Sequence, residues 1–256
     1  MLFDSHAHLN DESFDEDRDE LIGSLKEKGV DLVVNPGADI ETSITAIELA
    51  KKYDFIYSAV GVHPHDVSKL DDTAIDTLRK LATENEKVVA IGEIGLDYYY
   101  DYSPREEQKE WFKKQIELAN ELKLPIIIHD RDAHGDTFEI IKNTKSPEIG
   151  CVLHCYSGNV ELAREYVKMG CYISIPGTVT FKNNKKTREV VREIPLERLF
   201  IETDSPYMSP EPHRGKRNNP SQVAFVADKI AQEKGISYEE VCRATKENAK
   251  KFFNIK

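Results

Sequence analysis

One stretch decides the fold: Val88-Val89-Ala90-Ile91-Gly92-Glu93, a short apolar run that ends in a carboxylate. Such β-branched runs are typical of strands that are buried on both faces, as in a parallel sheet. Seven further runs of this kind occur along the chain: Met1–Asp4, Asp31–Asn35, Phe55–Val60, Pro125–His129, Gly150–His154, Tyr172–Ile175 and Leu199–Glu202. Together they predict eight parallel strands.

Amphipathic helical patterns accompany these runs: Asp17–Lys28, Ile40–Tyr53, Arg105–Leu122, Val160–Lys168, Lys185–Arg192, Ser221–Glu233 and Ser237–Phe253. Strands that alternate with helices predict a parallel sheet with crossover helices. Eight such strands in 256 residues fit a single (β/α)8 TIM barrel, which typically has about 250 residues. The sequence shows no linker or repeat, so residues 1–256 are predicted to form one domain. An open doubly wound sheet is the alternative architecture.

Composition and charge exclude several classes of protein. Hydrophobic residues make up 39% and charged residues 32% of the chain, which excludes disordered and low-complexity proteins. No apolar run approaches the roughly 20 residues of a membrane helix, and the first ten residues lack the features of a signal peptide. We therefore expect a cytoplasmic protein without membrane contact, and nothing indicates an obligate protein partner. The net charge of −11 repels polyanions, so any nucleic acid would have to bind locally.

Ionisable side chains stand at the carboxyl ends of five predicted strands. Because the carboxyl ends of barrel strands surround one mouth, we expect these side chains to share one cavity. Left unpaired there, they would carry a large desolvation cost, which a bound cation would offset. The set consists of four imidazoles and two carboxylates: His6, His8, Glu93, His129, His154 and Asp204.

These groups predict two divalent cations bridged by a carboxylate, because six ligands exceed the four of a tetrahedral ion. The sequence does not distinguish Mg²⁺, Mn²⁺, Zn²⁺, Ni²⁺ and Fe²⁺. A rival metal site could form around His154, which Cys151 and Cys155 bracket, but strand alternation directs both thiols to the opposite face. The four cysteines are too few for a disulfide framework and are expected to be reduced, small, buried side chains.

Six motifs, spread in order over essentially the whole chain, resemble the TatD family of metal-dependent hydrolases: Leu2–Asn10, Gly61–His65, Ile91–Tyr98, His129–Ala133, His154–Gly158 and Glu202–Pro206. The resemblance implies a TIM barrel of the amidohydrolase-like superfamily with divalent metals and deoxyribonuclease activity, often as a 3′ to 5′ exonuclease. It assigns the ligands to two ions joined by one bridge: His6, His8 and Asp204 on the first, His129 and His154 on the second, and Glu93 between them. Asn219 departs from the family, in which a glutamate is common at that position, and this weakens any role for its segment.

Four residues receive roles around the metals. Asp204 is a candidate for orienting the attacking water and accepting its proton, with a role as a ligand alone as the alternative. By its position in the family, His63 is expected to contact the scissile phosphate or protonate the leaving oxygen, unless it only caps a loop. Glu202 and Asp4 each stand two residues before a ligand, so we expect them to hold a ligand imidazole through its free N–H, or else to form a buried ion pair.

The substrate is expected to contact six residues at the barrel mouth: His65, Tyr156, Ser157, Arg214, Lys216 and Arg217. The last three belong to a basic loop after the eighth strand, which could bind phosphates, although a solvated turn has the same composition. Four tyrosines after the fourth strand could either stack on an unpaired base or pack against a helix: Tyr98, Tyr99, Tyr100 and Tyr102.

Three functions are compatible with these observations. The first is a deoxyribonuclease that hydrolyses phosphodiesters of DNA, or of another nucleic acid bound at the mouth, with a two-metal site. The second is a metal-dependent hydrolase of another ester or amide, such as aminoacyl-tRNA or a small lactone. The third is a barrel that binds metal or nucleic acid without turnover. The basic loop favours the first over the second, and the complete ligand set argues against the third.

Overall fold

The computed structural model describes residues 1–144 and 146–256, except for the side chains of 146 and 147. Its eight strands form one sheet in the order of the sequence, and every neighbouring pair is parallel. The strands are Leu2–Asp4 (β1), Val30–Pro36 (β2), Ile56–Val60 (β3), Val88–Asp97 (β4), Ile126–Arg131 (β5), Cys151–Leu153 (β6), Tyr172–Ile175 (β7) and Leu199–Ile201 (β8).

Backbone pairing between the two ends of the sheet closes it into a barrel. Ala7, just after β1, forms a parallel bridge with Ser205, just after β8. The backbone N–H of Ser5 donates to the carbonyl oxygen of Ile201 at 3.1 Å. The barrel predicted from the sequence is therefore confirmed, and the open doubly wound alternative is wrong.

The helices in the described part of the chain are Arg18–Ser24 (α1), Ile40–Lys52 (α2), Ala74–Thr83 (α3), Arg105–Leu122 (α4), His134–Asn143 (α5), Ser146–Ile149 (α6), Val160–Lys168 (α7), Lys185–Glu193 (α8), Val223–Lys234 (α9) and Tyr238–Phe252 (α10). Polar side chains cap some of them: the Asp39 carboxylate accepts from Thr42 N at 2.7 Å at the start of α2, and Asn159 caps α7 in the same way. None of these helices combines the length and the apolar character needed to span a membrane.

Strand β4 is longer than the sequence predicts. The apolar run ends at Glu93, yet pairing with β5 continues to Asp97, after a shift of register between Ile91 and Ile94. Gly95 permits this continuation, because its φ is +146° and a Cβ there would lie only 2.0 Å from the carbonyl oxygen of His129. The extension carries Asp97 to the mouth of the barrel.

Candidate active site

The carboxyl ends of the strands surround a cavity of about 890 Å³. Five of the six residues predicted to hold metal line this cavity: His8, Glu93, His129, His154 and Asp204. The sixth, His6, is fully buried directly behind it, with its ring stacked 3.7 Å from the ring of His154, centroid to centroid. The six side chains therefore lie together, as the ends of parallel barrel strands require.

Glu93 stands between two pairs of imidazoles. Its Oε2 lies 3.3 Å from Nε2 of His6 and 3.5 Å from Nε2 of His8. Its Oε1 lies 2.8 Å from Nδ1 of His129 and 3.1 Å from Nε2 of His154. Each oxygen of this one carboxylate thus faces a separate pair of ring nitrogens.

Asp204 belongs with the first of these pairs. Its Oδ1 lies 3.5 Å from Nε2 of His8 and 3.8 Å from Nε2 of His6. The backbone holds it there, because Asp204 N donates to the carbonyl oxygen of His6 at 2.9 Å and His8 N donates to that of Ser205 at 2.8 Å. Closure of the barrel is thus what brings the first and last strands of the chain to one site.

The donor set fits divalent metal ions. Imidazole nitrogens of His6 and His8 face each other at 3.1 Å, an approach that a cation between them and the two carboxylates would explain. Close groups of possible ligands include His6 with His8 and Glu93, and Glu93 with His129 and His63. Glu93 is common to both groups, as the bridging arrangement requires.

The carboxylates of the site raise the pKa of two imidazoles. Burial lowers the pKa of His8, but its hydrogen bonds to Asp204 and Glu93 outweigh burial and raise the pKa to about 10. Burial also lowers the pKa of His129, but its hydrogen bonds to Asp97 and Glu93 outweigh burial and raise the pKa to about 9. Metal binding at either imidazole would therefore compete with proton binding.

His63 lies on the His129 side of the site. Its Nε2 is 3.7 Å from Oε1 of Glu93, and its ring centroid is 4.3 Å from that of His129. Its Nδ1 accepts a hydrogen bond from the backbone N–H of His65 at 3.2 Å. Burial lowers the pKa of His63 well below its usual value, so the ring is neutral and its proton sits on Nε2. With Nδ1 already accepting, Nε2 is the nitrogen of His63 that can donate a hydrogen bond.

Glu202 lies beside the imidazole of His154. Its Oε1 lies 3.2 Å from Nδ1 of His154 and accepts from Cys155 N at 2.6 Å, while its Oε2 accepts from Ser174 Oγ at 2.6 Å. These contacts fix the carboxylate and hence the orientation of the His154 ring.

Asp4 differs from the expectation that it holds an imidazole. Its Oδ1 accepts from the backbone N–H of Thr203 at 2.9 Å and from that of His6 at 3.3 Å, and its Oδ2 accepts from the Thr203 hydroxyl at 2.5 Å. Asp4 therefore ties β1 to the end of β8 through the backbone. It positions His6 without touching its ring.

Asp97 is a functional residue that the sequence reasoning missed. Its Oδ2 lies 2.8 Å from Nε2 of His65 and 3.1 Å from Nε2 of His129, so one carboxylate orients both rings. Burial raises its pKa, but these hydrogen bonds outweigh burial and hold the pKa well below its usual value. The sequence offered a signal for Asp97: side chains alternate between the two faces of a strand, so a residue four positions after Glu93 lies on the same face.

Of the six residues expected to bind substrate, two line the cavity and four do not. His65 and Ser157 line it. Tyr156 is wrongly placed by the sequence analysis, because only 4% of it is exposed and its hydroxyl donates to the carbonyl oxygen of Asn159 at 2.8 Å. Its ring fills the core beside Tyr166. Cys155, expected to be buried, lines the cavity and is partly exposed.

The basic loop does not overhang the mouth as expected. Arg217 pairs with Asp17, Arg214 lies 4.4 Å over the ring of Phe181, and Lys216 is absent from the cavity lining along with both arginines. The two arginines are thus turned toward neighbouring elements, and Lys216 is exposed. Asn219, the departure from the family pattern, caps the turn before α9 by accepting from Ser221 N at 3.1 Å.

Arg131 supplies the positive charge that the basic loop does not. It is the one lysine or arginine among the described residues that line the cavity, and it stands two residues after His129 on β5. Within residues 1–144 and 146–256, no carboxylate lies within ion-pair distance of its guanidinium group. The sequence contained the signal, because residues two apart on a strand share a face.

Comparison with known proteins gives consistent matches over the whole chain. A family model described as TatD related DNase matches residues 3–254. The uncharacterized metal-dependent hydrolase YabD of Bacillus subtilis is 49% identical over 255 residues, which cover 100% of both chains. YcfH of Escherichia coli K12, also an uncharacterized metal-dependent hydrolase, is 38% identical over 100% of this chain and 96% of its own. The crystal structure of YJJV, a TatD homolog from Escherichia coli K12, has a TM-score of 0.94 at 31% identity, covering 100% of this chain and 98% of that one.

Proposed function

Since the chain belongs to the TatD family of metal-dependent hydrolases, we propose that it is a deoxyribonuclease that hydrolyses phosphodiester bonds with two divalent ions. The observation that carries the proposal is the position of Glu93, whose two oxygens each face a different pair of imidazoles. A single shared carboxylate suits a two-metal site, and such sites are used for phosphodiester displacement. The family description as related to DNases supports DNA as the substrate.

The residues that would hold the ions form two groups joined by one bridge: His6, His8 and Asp204, then His129 and His154, with Glu93 between them. When bound, the ions would supply Lewis-acid activation of water and of the phosphate oxygens. Glu202 and Asp97 fix the rings of His154 and His129, so the donors need little rearrangement to bind.

Three side chains act on the substrate in this proposal. Asp204 orients the attacking water and accepts its proton, as a carboxylate at the edge of the site can do. The Nε2–H of His63 donates a hydrogen bond to an oxygen of the scissile phosphate, because its Nδ1 is already occupied by His65 N. Arg131 pairs with a phosphate at the cavity wall.

A second candidate function is the hydrolysis of a small ester or amide. The observation in its favour is the scarcity of cations at the mouth, where Arg131 is the one lysine or arginine among the described lining residues. A protein of net charge −11 with so little local positive charge attracts a polyanion weakly.

Metal-loaded protein incubated with end-labelled single-stranded DNA, duplex DNA and a p-nitrophenyl carboxyl ester would separate the two candidates. We expect the DNA to be shortened and the ester to be left largely intact, and we expect a chelator to abolish cleavage. Glu93→Gln is the matched control, and it should lose both bound metal and cleavage. Ester hydrolysis without DNA cleavage would favour the second candidate, and cleavage that persists in Glu93→Gln would not originate from this site.

A further inference from the structure

Three tyrosines after β4 expose their rings at the edge of the active-site cavity. The exposed fraction is 58% for Tyr99, 44% for Tyr100 and 66% for Tyr102, and all three line the cavity. In the described part of the chain none of their hydroxyls has a hydrogen-bond partner. Tyr98 differs, because its hydroxyl donates to Asp136 at 2.6 Å and its ring is only partly exposed. Of the four tyrosines, Tyr98 is thus the one that packs against a helix.

The exposed rings form an ordered surface rather than a loose loop. Tyr100 and Tyr102 stack with centroids 5.2 Å apart and planes inclined by 21°. The guanidinium carbon of Arg131 lies 4.0 Å from the ring centroid of Tyr99 and 4.7 Å from that of Tyr100. The backbone beneath is fixed, because Tyr99 N and Tyr100 N both donate to Oδ1 of Asp97, at 3.0 and 2.9 Å.

This surface is directly connected to the metal-binding residues. The ring of His65 contacts Tyr100 and Tyr102, with centroid distances of 5.3 and 4.9 Å. The same His65 shares Asp97 with His129. A group resting on the tyrosines would therefore lie beside the site where hydrolysis takes place.

We propose that Tyr99, Tyr100 and Tyr102, which together form a tyrosine platform, bind an unpaired nucleobase of the substrate while Arg131 pairs with the adjoining phosphate. Exposed aromatic rings beside an unpaired guanidinium group are the combination that holds single nucleotides by stacking and charge. The inference rests on the proposed function, since it names the part of a nucleic acid that this cavity recognises. Base pairing would hide the base from the platform, so the platform acts on unpaired ends.

Steady-state cleavage with two matched substrates tests the platform. One is a single-stranded oligonucleotide with ordinary terminal nucleotides, and the other carries abasic tetrahydrofuran residues at the same positions. We expect wild-type protein to show a KM about tenfold higher for the abasic substrate, with similar kcat. In the double variant Tyr100→Leu and Tyr102→Leu, the KM for the ordinary substrate should rise by about the same factor, and the abasic substrate should be unaffected. The single variant Tyr100→Phe keeps the aromatic ring, so its KM for the ordinary substrate should be close to that of the wild-type protein.

A binding measurement separates this inference from the proposed function. A phosphorothioate oligonucleotide with a terminal 2-aminopurine resists cleavage, and the base's fluorescence is quenched when it stacks. Metal-loaded wild-type protein should quench it, and the double leucine variant should not. Wild-type protein that cleaves no oligonucleotide but still quenches would overturn the proposed function and keep the platform. Equal quenching by both proteins, or a double variant that loses affinity equally for both cleavable substrates, would overturn the platform.

Discussion

At the residue scale, small differences in hydrogen bonding distinguish the histidines around Glu93. His6 and His8 direct Nε2 toward the two carboxylates, and His129 directs Nδ1 toward Glu93. His63 also points Nε2 at Glu93, but the backbone N–H of His65 occupies its other nitrogen. A neutral imidazole with an acceptor at Nδ1 must carry its proton on Nε2. Similar positions in space therefore correspond to different chemical roles.

The role of His63 leads to a prediction about metal content. His63→Gln should keep the wild-type metal content, because the six residues expected to hold the ions remain, and it should lower kcat by about 10²-fold. Elemental analysis after desalting and initial rates on DNA would measure the two effects. His213→Gln is the control, since His213 lies against Phe225 outside the cavity lining and should change neither quantity. Loss of metal in His63→Gln would make His63 a ligand instead.

At the scale of elements, the extension of β4 builds the outer part of the site. The strand passes Glu93 and continues to Asp97, which brings a second carboxylate alongside β5. From that position Asp97 orients His129 and His65 with one oxygen and fixes the backbone of the tyrosine platform with the other. A single strand end thus connects the metal ligands to the expected substrate surface.

Removal of the Asp97 charge should weaken metal binding without removing any ligand. In Asp97→Asn the His129 ring loses its charged partner, and such partners typically contribute 10- to 100-fold to metal affinity. We expect the second metal equivalent to bind about tenfold more weakly in a Mn²⁺ titration, with the fold retained by circular dichroism. Asp101→Asn is a control on the same loop, because Asp101 pairs with Arg105 outside the cavity lining. An unchanged Mn²⁺ affinity in Asp97→Asn would show that this carboxylate stabilises only the loop after β4 and does not support metal binding.

At the scale of the whole molecule, an acidic surface surrounds a mouth with little positive charge. The chain carries 46 Asp and Glu against 35 Lys and Arg. Arg217 of the basic loop is neutralised by Asp17, and Arg214 lies on Phe181. Long-range attraction of DNA is therefore weak, and contacts inside the cavity must supply most of the binding.

The salt dependence of DNA binding tests which cations touch phosphate. Each phosphate contact with single-stranded DNA contributes about 0.7 to the slope of log K against log salt. Arg131→Gln should lower the slope by about that amount. The triple variant of Arg214, Lys216 and Arg217 to Gln should leave the slope nearly unchanged, although the basic loop in the sequence predicts a decrease of roughly 2. A large decrease of this slope in the triple variant would show that the basic loop does contact phosphate.

The barrel, the family and the six residues that converge at the mouth could all be predicted from the sequence. Strand periodicity is a local property, and the ionisable groups at the ends of five of the eight apolar runs are visible without a structure. The family match over residues 3–254 follows from the same motifs. The sequence thus predicts well the features that depend on periodic patterns along the chain or on short motifs.

Only the tertiary structure decided the surroundings of those six residues. The glycine that lets β4 run on to Asp97 acts through its distance from His129 on the next strand, which no single segment encodes. Tyr156 lies in the core and Arg217 is paired with Asp17, 200 positions away along the chain. Side-chain direction and charge pairing depend on neighbours that folding brings together, so the positions of these two residues after strand ends placed both at the mouth wrongly. The contact between Arg131 and the tyrosine platform likewise joins two segments, β5 and the loop after β4, so only the structure shows it.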